Sequence, residues 1–185
     1  MAQVFERIDA TLAAWIKQQH MFFVATAPGG NTGLINCSPK GLDSLRVLDE
    51  TTLVYLDLTG SGVETIAHLR DNGRIVIMLC AFDGLPRIVR LYGRGVVVTP
   101  ADEEFASLAE RFPPHPGIRC VIRIVLTRIS DSCGYSVPLL DFRADRDVLD
   151  KWAEKKGRAG VVAYQLEKNA HSLDGLTGVD WLTPS

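Results

Sequence analysis

Residues 53–80 read LVYLDLTGSGVETIAHLRDNGRIVIMLC, a stretch in which a strand-like run, a helical run and a second strand-like run follow one another. The first run passes through Gly60 and Gly62 into a segment whose Val63, Ile66 and Ala67 fall on one helical face. Gly73 stands where a left-handed residue closes a helix. The apolar run RIVIMLCAF that follows reads as a strand buried on both faces. Two strands joined by a glycine turn and a helix are the centre of the fold, and the flanking segments decide its class.

Upstream, FFVATA (22–27) and TGLINCSP (32–39) flank the turn residues PGGN and predict a hairpin. Residues 4–19 place Val4, Ile8, Leu12, Trp15 and Ile16 on one face of an amphipathic helix. Downstream, PRIVRLYGRGVVVTP (86–100) predicts a long strand, in which Gly93 and Gly95 mark a bend or bulge. TPADEE opens a further helix with Pro100 near its first turn, Leu108 and Phe112 as anchors, and PPHPG as its stop.

IRCVIRIVLTRISDS (118–132) alternates Cys120, Ile122, Ile124 and Leu126 with Val121, Arg123, Val125 and Thr127, the pattern of a sixth strand. CGYSVPLLDF then reads as an ordered loop, DRDVLDKWAEKKG as a last short helix, and the tail from Ala163 as loop-rich. Six strands with short connections close into a barrel whose ends the helices cover. The expected architecture is mainly β with flanking helices, in one domain over residues 1–185. Its barrel core spans about 20–135, and its C-terminal helix and tail span about 136–185.

The 20 basic and 22 acidic residues are interspersed along the chain, which argues against nucleic acid or an anionic membrane as partner. No apolar run approaches the roughly 20 residues that span a bilayer, and the N-terminal pattern, broken by Glu6 and Asp9, lacks the core of a secretion signal. A cytoplasmic protein is the expectation. Cys37, Cys80, Cys120 and Cys133 show no metal-ligand spacing and read as reduced thiols, mostly small core residues. The four histidines, His20, His68, His115 and His171, lack partners at triad or metal spacing, so no metal site is expected. Trp15, Trp152 and Trp181 read as packing anchors.

Ser61 followed three residues later by Glu64 is a capping-box pattern for the central helix. The same turn also has the makings of an anion site, because a glycine-flanked helix N-terminus presents free N–H groups. Gly60 and Gly62 permit close approach, and Thr59, Ser61 and Thr65 offer hydroxyls. The glycines form neither a phosphate-binding GxxxxGK[ST] loop nor a full dinucleotide fingerprint. Candidate cations for a bound phosphate are Lys40, Arg87, Arg90 and Arg94, of which Arg90 and Arg94 share a strand face with Ile88 and Tyr92.

The order of these pieces, INCSPKG, LVYLDLTGSG, VETIAHLRDNGR, IVIMLC and PRIVRLYGRGVV, resembles that of the pyridoxamine 5′-phosphate oxidase-like family of FMN-binding split-barrel proteins, over about residues 20–135. The resemblance implies a six-stranded split β-barrel of the FMN-binding type that forms a homodimer, with flavin sites at the interface. It implies that Asn36, Cys37, Ser38 and Lys40 run beside the isoalloxazine and ribityl chain, and that Thr59, Gly60, Ser61, Gly62 and Thr65 hold the phosphate, with Arg90 as the nearest cationic clamp. Cys133, Tyr135 and Ser136 would reach the flavin ring from the other subunit.

The chain departs from true pyridoxamine phosphate oxidases in two places. Gly62 and Val63 stand where those enzymes carry a basic pair after the turn serine, and the tail GLTGVDWLTPS lacks their substrate-gripping segment. The implied function is therefore an FMN-dependent oxidoreductase acting on a small molecule other than pyridoxamine phosphate. Related proteins of this fold suggest two alternatives, a deazaflavin- or haem-binding protein and a non-catalytic flavin carrier.

Overall fold

The computed structural model describes residues 3–182. Its strands are β1 (Gln3–Phe5), β2 (Phe22–Thr26), β3 (Asn36–Lys40), β4 (Leu45–Val47), β5 (Thr52–Leu58), β6 (Arg74–Cys80), β7 (Ile88–Val98) and β8 (Ile118–Ser132). Its helices are α1 (Ala10–Gln18), α2 (Glu64–Asn72), α3 (Phe105–Ala109) and α4 (Val148–Lys168). The strands form one antiparallel sheet in the order β3-β2-β6-β7-β8-β5-β4, with β1 paired to β8. The sheet curls into a mainly β split barrel, as expected.

All six expected strands are present, and β1 and β4, three residues each, are additions that sequence periodicity is too short to reveal. The N-terminal helix is shorter than predicted. It starts at Ala10 because Asp9 accepts a hydrogen bond from Leu12 N at 2.7 Å and so caps it, which leaves Val4 on β1 and exposed. β3 also starts late, at Asn36, with Leu34 and Ile35 exposed ahead of it. On β6 burial alternates: Ile75, Ile77 and Leu79 are in the core, while Val76 and Met78 are half-covered on the outer face.

Two irregularities in β8 shape the barrel. Opposite Tyr92 and Gly93 the register skips a residue, pairing Gly93 with Leu126 and Tyr92 with Arg128, so Thr127 is the extra residue of a bulge. A side chain at Gly93 would press its Cβ to 2.5 Å from the Val125 carbonyl oxygen, which is why glycine stands there. Past the bulge the inward phase changes parity, and Ile129 continues the buried row of Ile122 and Ile124. The second skip pairs Asp57 with Cys120 and Leu58 with Ile118, leaving Arg119 as the extra residue.

The main core fills the barrel with Val24, Leu53, Tyr55, Ile77, Leu91, Ile122 and Ile124, and Ile66 and Leu69 of α2 join it. On the outer face of β5 and β8, Val54, Leu56 and Val121 pack against Leu108 and Phe112 in and after α3. Cys80 and Cys120 are buried and Cys37 and Cys133 exposed, so half of the cysteines are core residues. The tail differs most from expectation. Gly157 adopts φ 64° and ψ 170°, the break the sequence suggested, but the chain resumes its helix and continues to Lys168. That second half of α4 carries Val161 and Gln165 into buried positions.

Candidate functional site

The candidate site lies along the split of the barrel, where β3 is a terminal strand of the sheet and β5 ends near it. Two side chains of β3 reach across. Asn36 donates from Nδ2 to Thr65 Oγ1 at 3.0 Å and to Thr26 Oγ1 at 3.2 Å, and Lys40 Nζ lies 4.0 Å from Asp57 Oδ2. Asn36, Lys40, Thr65 and the turn at 59–62 are thus brought together. Ser38 shares the inward face with Asn36 and Lys40, while Cys37 faces outward.

The turn is tied down from inside by residues the sequence did not single out. Arg119 Nε donates to Asp57 Oδ1 at 2.7 Å, and its Nη1 donates to the Gly62 carbonyl and to Asn169 Oδ1, each at 2.9 Å. Asn169 Nδ2 donates to the Gly60 carbonyl at 3.0 Å, and Gln165 Nε2 donates to Thr59 Oγ1 at 2.6 Å. The Thr59 hydroxyl in turn donates to the Gly117 carbonyl at 2.8 Å. Thr59 is buried and its hydroxyl is engaged on both sides, so it is not free for a phosphate. Gly60 and Ser61 are exposed, and a Cβ built on Gly60 meets open space.

Ser61 does not cap α2. Val63 occupies the N-cap position without a side-chain hydrogen bond, because inward bonding of the Gly60 and Gly62 carbonyls holds both residues outside the helix. Glu64 accepts instead from Leu173 N at 3.4 Å, and its other carboxylate oxygen crowds Gly62. Beneath the helix the buried His68 Nδ1 and Thr26 Oγ1 share a hydrogen bond at 3.0 Å, while Nε2 lies 3.9 Å from Asp174 Oδ2. Burial holds the His68 pKa below the usual imidazole value, against the opposing pull of Asp174, Glu64 and Asp71.

Burial opposes the charge on Arg119, but Asp57 outweighs it and holds the guanidinium above its ordinary pKa. Burial and the Asp57 carboxylate push the Tyr55 hydroxyl and the Cys120 thiol well above theirs. These groups form one polar cluster inside the barrel, with Asp57 Oδ2 and the Tyr55 hydroxyl lacking hydrogen-bond partners among the described residues. Lys40 is the link between that cluster and a cavity of about 680 Å³ at the end of β3. The His20 ring stacks on Phe142 at 3.7 Å in its wall, and Phe82 and Trp152 complete the aromatic lining.

The remaining candidate cations are committed elsewhere. Arg87 pairs with Asp131 at 3.1 Å and lies over the Trp15 ring, and Arg94 donates to the Asn72 carbonyl at the end of α2. Arg90 is on the outer face of β7, three strands from β3, with its Nη1 donating to Ser132 Oγ at 3.0 Å. It therefore does not clamp the turn at 59–62 of its own chain. It stands instead with the loop after β8, where Cys133, Tyr135 and Ser136 are all exposed.

The sequence profile described as pyridoxamine 5′-phosphate oxidase matches residues 8–133. The chain belongs to the pyridoxamine 5′-phosphate oxidase family. The pyridoxamine 5′-phosphate oxidase family protein ustO of Aspergillus flavus is 40 % identical over 192 residues, covering 95 % of this chain and 77 % of that protein. The crystal structure of HupZ from Group A Streptococcus is similar at 25 % identity with a TM-score of 0.51, over 66 % of this chain and 91 % of that one. A Lactobacillus delbrueckii protein proposed to be a pyridoxamine 5′-phosphate oxidase shares the fold at 17 % identity and a TM-score of 0.54, over 69 % and 98 % of the two chains. The profile match ends at Ser132–Cys133, so Gln165 and Asn169 lie beyond it.

The signals that point to the missed residues are faint but physical. Asp57 is the one charge in the strand LVYLDL, and Arg119 is one of two, with Arg123, in the otherwise apolar run IRCVIRIVL. Gln165 and Asn169 are four residues apart, one helical turn, in a segment whose two glycines obscured its helicity.

Proposed function

We propose that the protein is an FMN-binding oxidoreductase that works as a homodimer in the cytoplasm, as a single domain, on a small organic substrate other than pyridoxamine phosphate. The observation that carries this reading is the exposed turn at Gly60–Gly62, set beside the terminal strand β3 and joined to it through Asn36 and Thr65. A turn held open at the start of an uncapped helix fits a phosphate ester, and the adjoining strand edge fits the planar ring that the ester bears. The bound flavin supplies hydride or electron transfer, and the protein supplies position and shielding.

In this reading Asn36, Ser38 and Lys40 line the cofactor, with Cys37 at its outer margin, and Gly60, Ser61, Gly62 and Thr65 surround the phosphate. Lys40 also faces the cavity with its aromatic walls, which fits a planar substrate lying against the flavin. Tyr92, Val96 and Val125 leave apolar area exposed on the outer sheet face, and Tyr135 is 84 % exposed beyond β8. A second copy covering these residues would bring Cys133, Tyr135, Ser136 and Arg90 toward its partner's flavin.

Titration with FMN, followed by flavin fluorescence, tests the reading. The expected result is saturation at one FMN per chain in a species that sediments as a dimer. Lack of saturable binding, or a strictly monomeric species at micromolar concentration, contradicts it. Catalysis is tested by reducing bound FMN with a nicotinamide donor and supplying electron acceptors. Reoxidation no faster than that of free FMN with every acceptor would make the protein a flavin carrier.

A further inference from the structure

The turn at 59–62 presents no basic side chain to a phosphate, yet its backbone is held in a definite orientation. The Gly60 carbonyl accepts from Asn169 Nδ2 and the Gly62 carbonyl from Arg119 Nη1, and both donors are at least nine-tenths buried. Among the described residues no peptide bond is cis, so the N–H of each of these peptides points away from its carbonyl. Carbonyls drawn inward at Gly60 and Gly62 therefore turn the N–H groups of Ser61 and Val63 the opposite way, toward the side where Gly60 and Ser61 are exposed, with the Val63 side chain itself buried.

We infer that Arg119 and Asn169 are positioning residues that aim the Ser61 and Val63 amides at the phosphate of the bound flavin, and that these amides replace the missing basic pair. The inference rests on the reading of the protein as FMN-binding. Arg119 is not itself a phosphate ligand, because Asp57 neutralises it 2.7 Å away and its Nη1 is spent on Gly62 and Asn169. Its fork reaches three partners at once, which a lysine ammonium on a flexible stem does not reproduce. Gln165 completes the support by fixing Thr59, the first residue of the turn.

The lack of a side-chain cap on α2 fits the same geometry. No side-chain hydroxyl caps α2, so its first N–H groups keep their partial positive charge at the end of the turn. The Glu64 carboxylate beside Gly62 acts in the other direction, and the balance between the two makes phosphate recognition sensitive to the orientation of the turn.

The experiment compares FMN with riboflavin, which lacks only the phosphate, on the wild-type protein and on Arg119→Lys and Asn169→Ala. The wild type is expected to prefer FMN by about ten-fold or more, and each variant to lose most of that preference while riboflavin affinity stays within about two-fold. Unchanged preference in both variants overturns the inference, as does equal loss of both flavins, which marks a merely structural role. Amide NMR of the wild type needs no variant: the Ser61 and Val63 signals should move with FMN and not with riboflavin, and equal shifts with the two ligands overturn the assignment. Equal wild-type affinity for both flavins defeats the inference but leaves flavin binding intact, whereas binding of neither defeats the cofactor reading with it.

Discussion

Asp57 and Arg119 meet at 2.7 Å on neighbouring strands, both buried, at the one point of β5 and β8 where the register skips a residue. The skip aims Arg119 at a carboxylate that faces the barrel interior, and the pair then holds the turn at Gly62. Removing one partner strands the other without its counter-charge. Arg119→Met should therefore destabilise the fold by about 3–5 kcal/mol in urea unfolding, and the double variant with Asp57→Leu should recover part of that loss. A single variant within about 1 kcal/mol of wild type would contradict the role given to the pair.

Glu64 has its carboxylate against Gly62, where its charge would oppose a phosphate in the proposed site. Glu64→Gln keeps the shape and removes the charge. FMN affinity should rise by about 0.5–1 kcal/mol, or two- to five-fold, with riboflavin unaffected. Equilibrium titration of both flavins checks this, and a fall in FMN affinity would show that Glu64 supports the phosphate.

Lys40 and Arg90 are separated by the sheet, one directed to the barrel split and the other on the outer face with Ser132. Arg90 is also three strands from β3, about 14 Å at the usual interstrand spacing. Lys40→Met should weaken FMN and riboflavin in parallel by about 1 kcal/mol, since the proposed site has Lys40 at its ring end. Arg90→Met should leave the preference for FMN over riboflavin unchanged. A selective loss of FMN binding in Arg90→Met would restore it as a phosphate clamp.

His68 is buried with its pKa held below the ordinary value of 6.5. The unfolded chain then binds the proton more readily than the folded one, so the stability that depends on neutral His68 is complete above pH 6.5 and declines as pH falls below it. The slope reaches at most about 1.4 kcal/mol per pH unit for one group. Urea midpoints at pH 7.5 and 5.5 for wild type and His68→Gln isolate it, because the other titratable groups are common to both proteins. The variant should show the smaller drop, and identical drops would contradict the assignment.

The strands and α2 were legible because their apolar residues repeat at distinct periods and glycines mark their ends. Gly73 and Gly93 do what their positions suggested, one with φ 70° at the end of α2 and one against the Val125 carbonyl. Long-range pairing was not legible. The capping-box pattern at Ser61 and Glu64 obeyed a local rule that Asn169, 109 residues from Gly60, overrides by bonding to the Gly60 carbonyl. The family resemblance implied Arg90 as a clamp, whereas strand order puts it beyond β2 and β6 from β3. Gly157 and Gly160 made the second half of α4 read as loop, and the residues that grip the turn follow them.

The most direct test is the absorbance spectrum of the protein as purified, recorded on the dimer fraction and again after addition of FMN. A flavin spectrum that stays with the protein through gel filtration, at one flavin per chain when saturated, is the expected result. A Soret band, a deazaflavin spectrum, or FMN that elutes entirely free of the protein would contradict it.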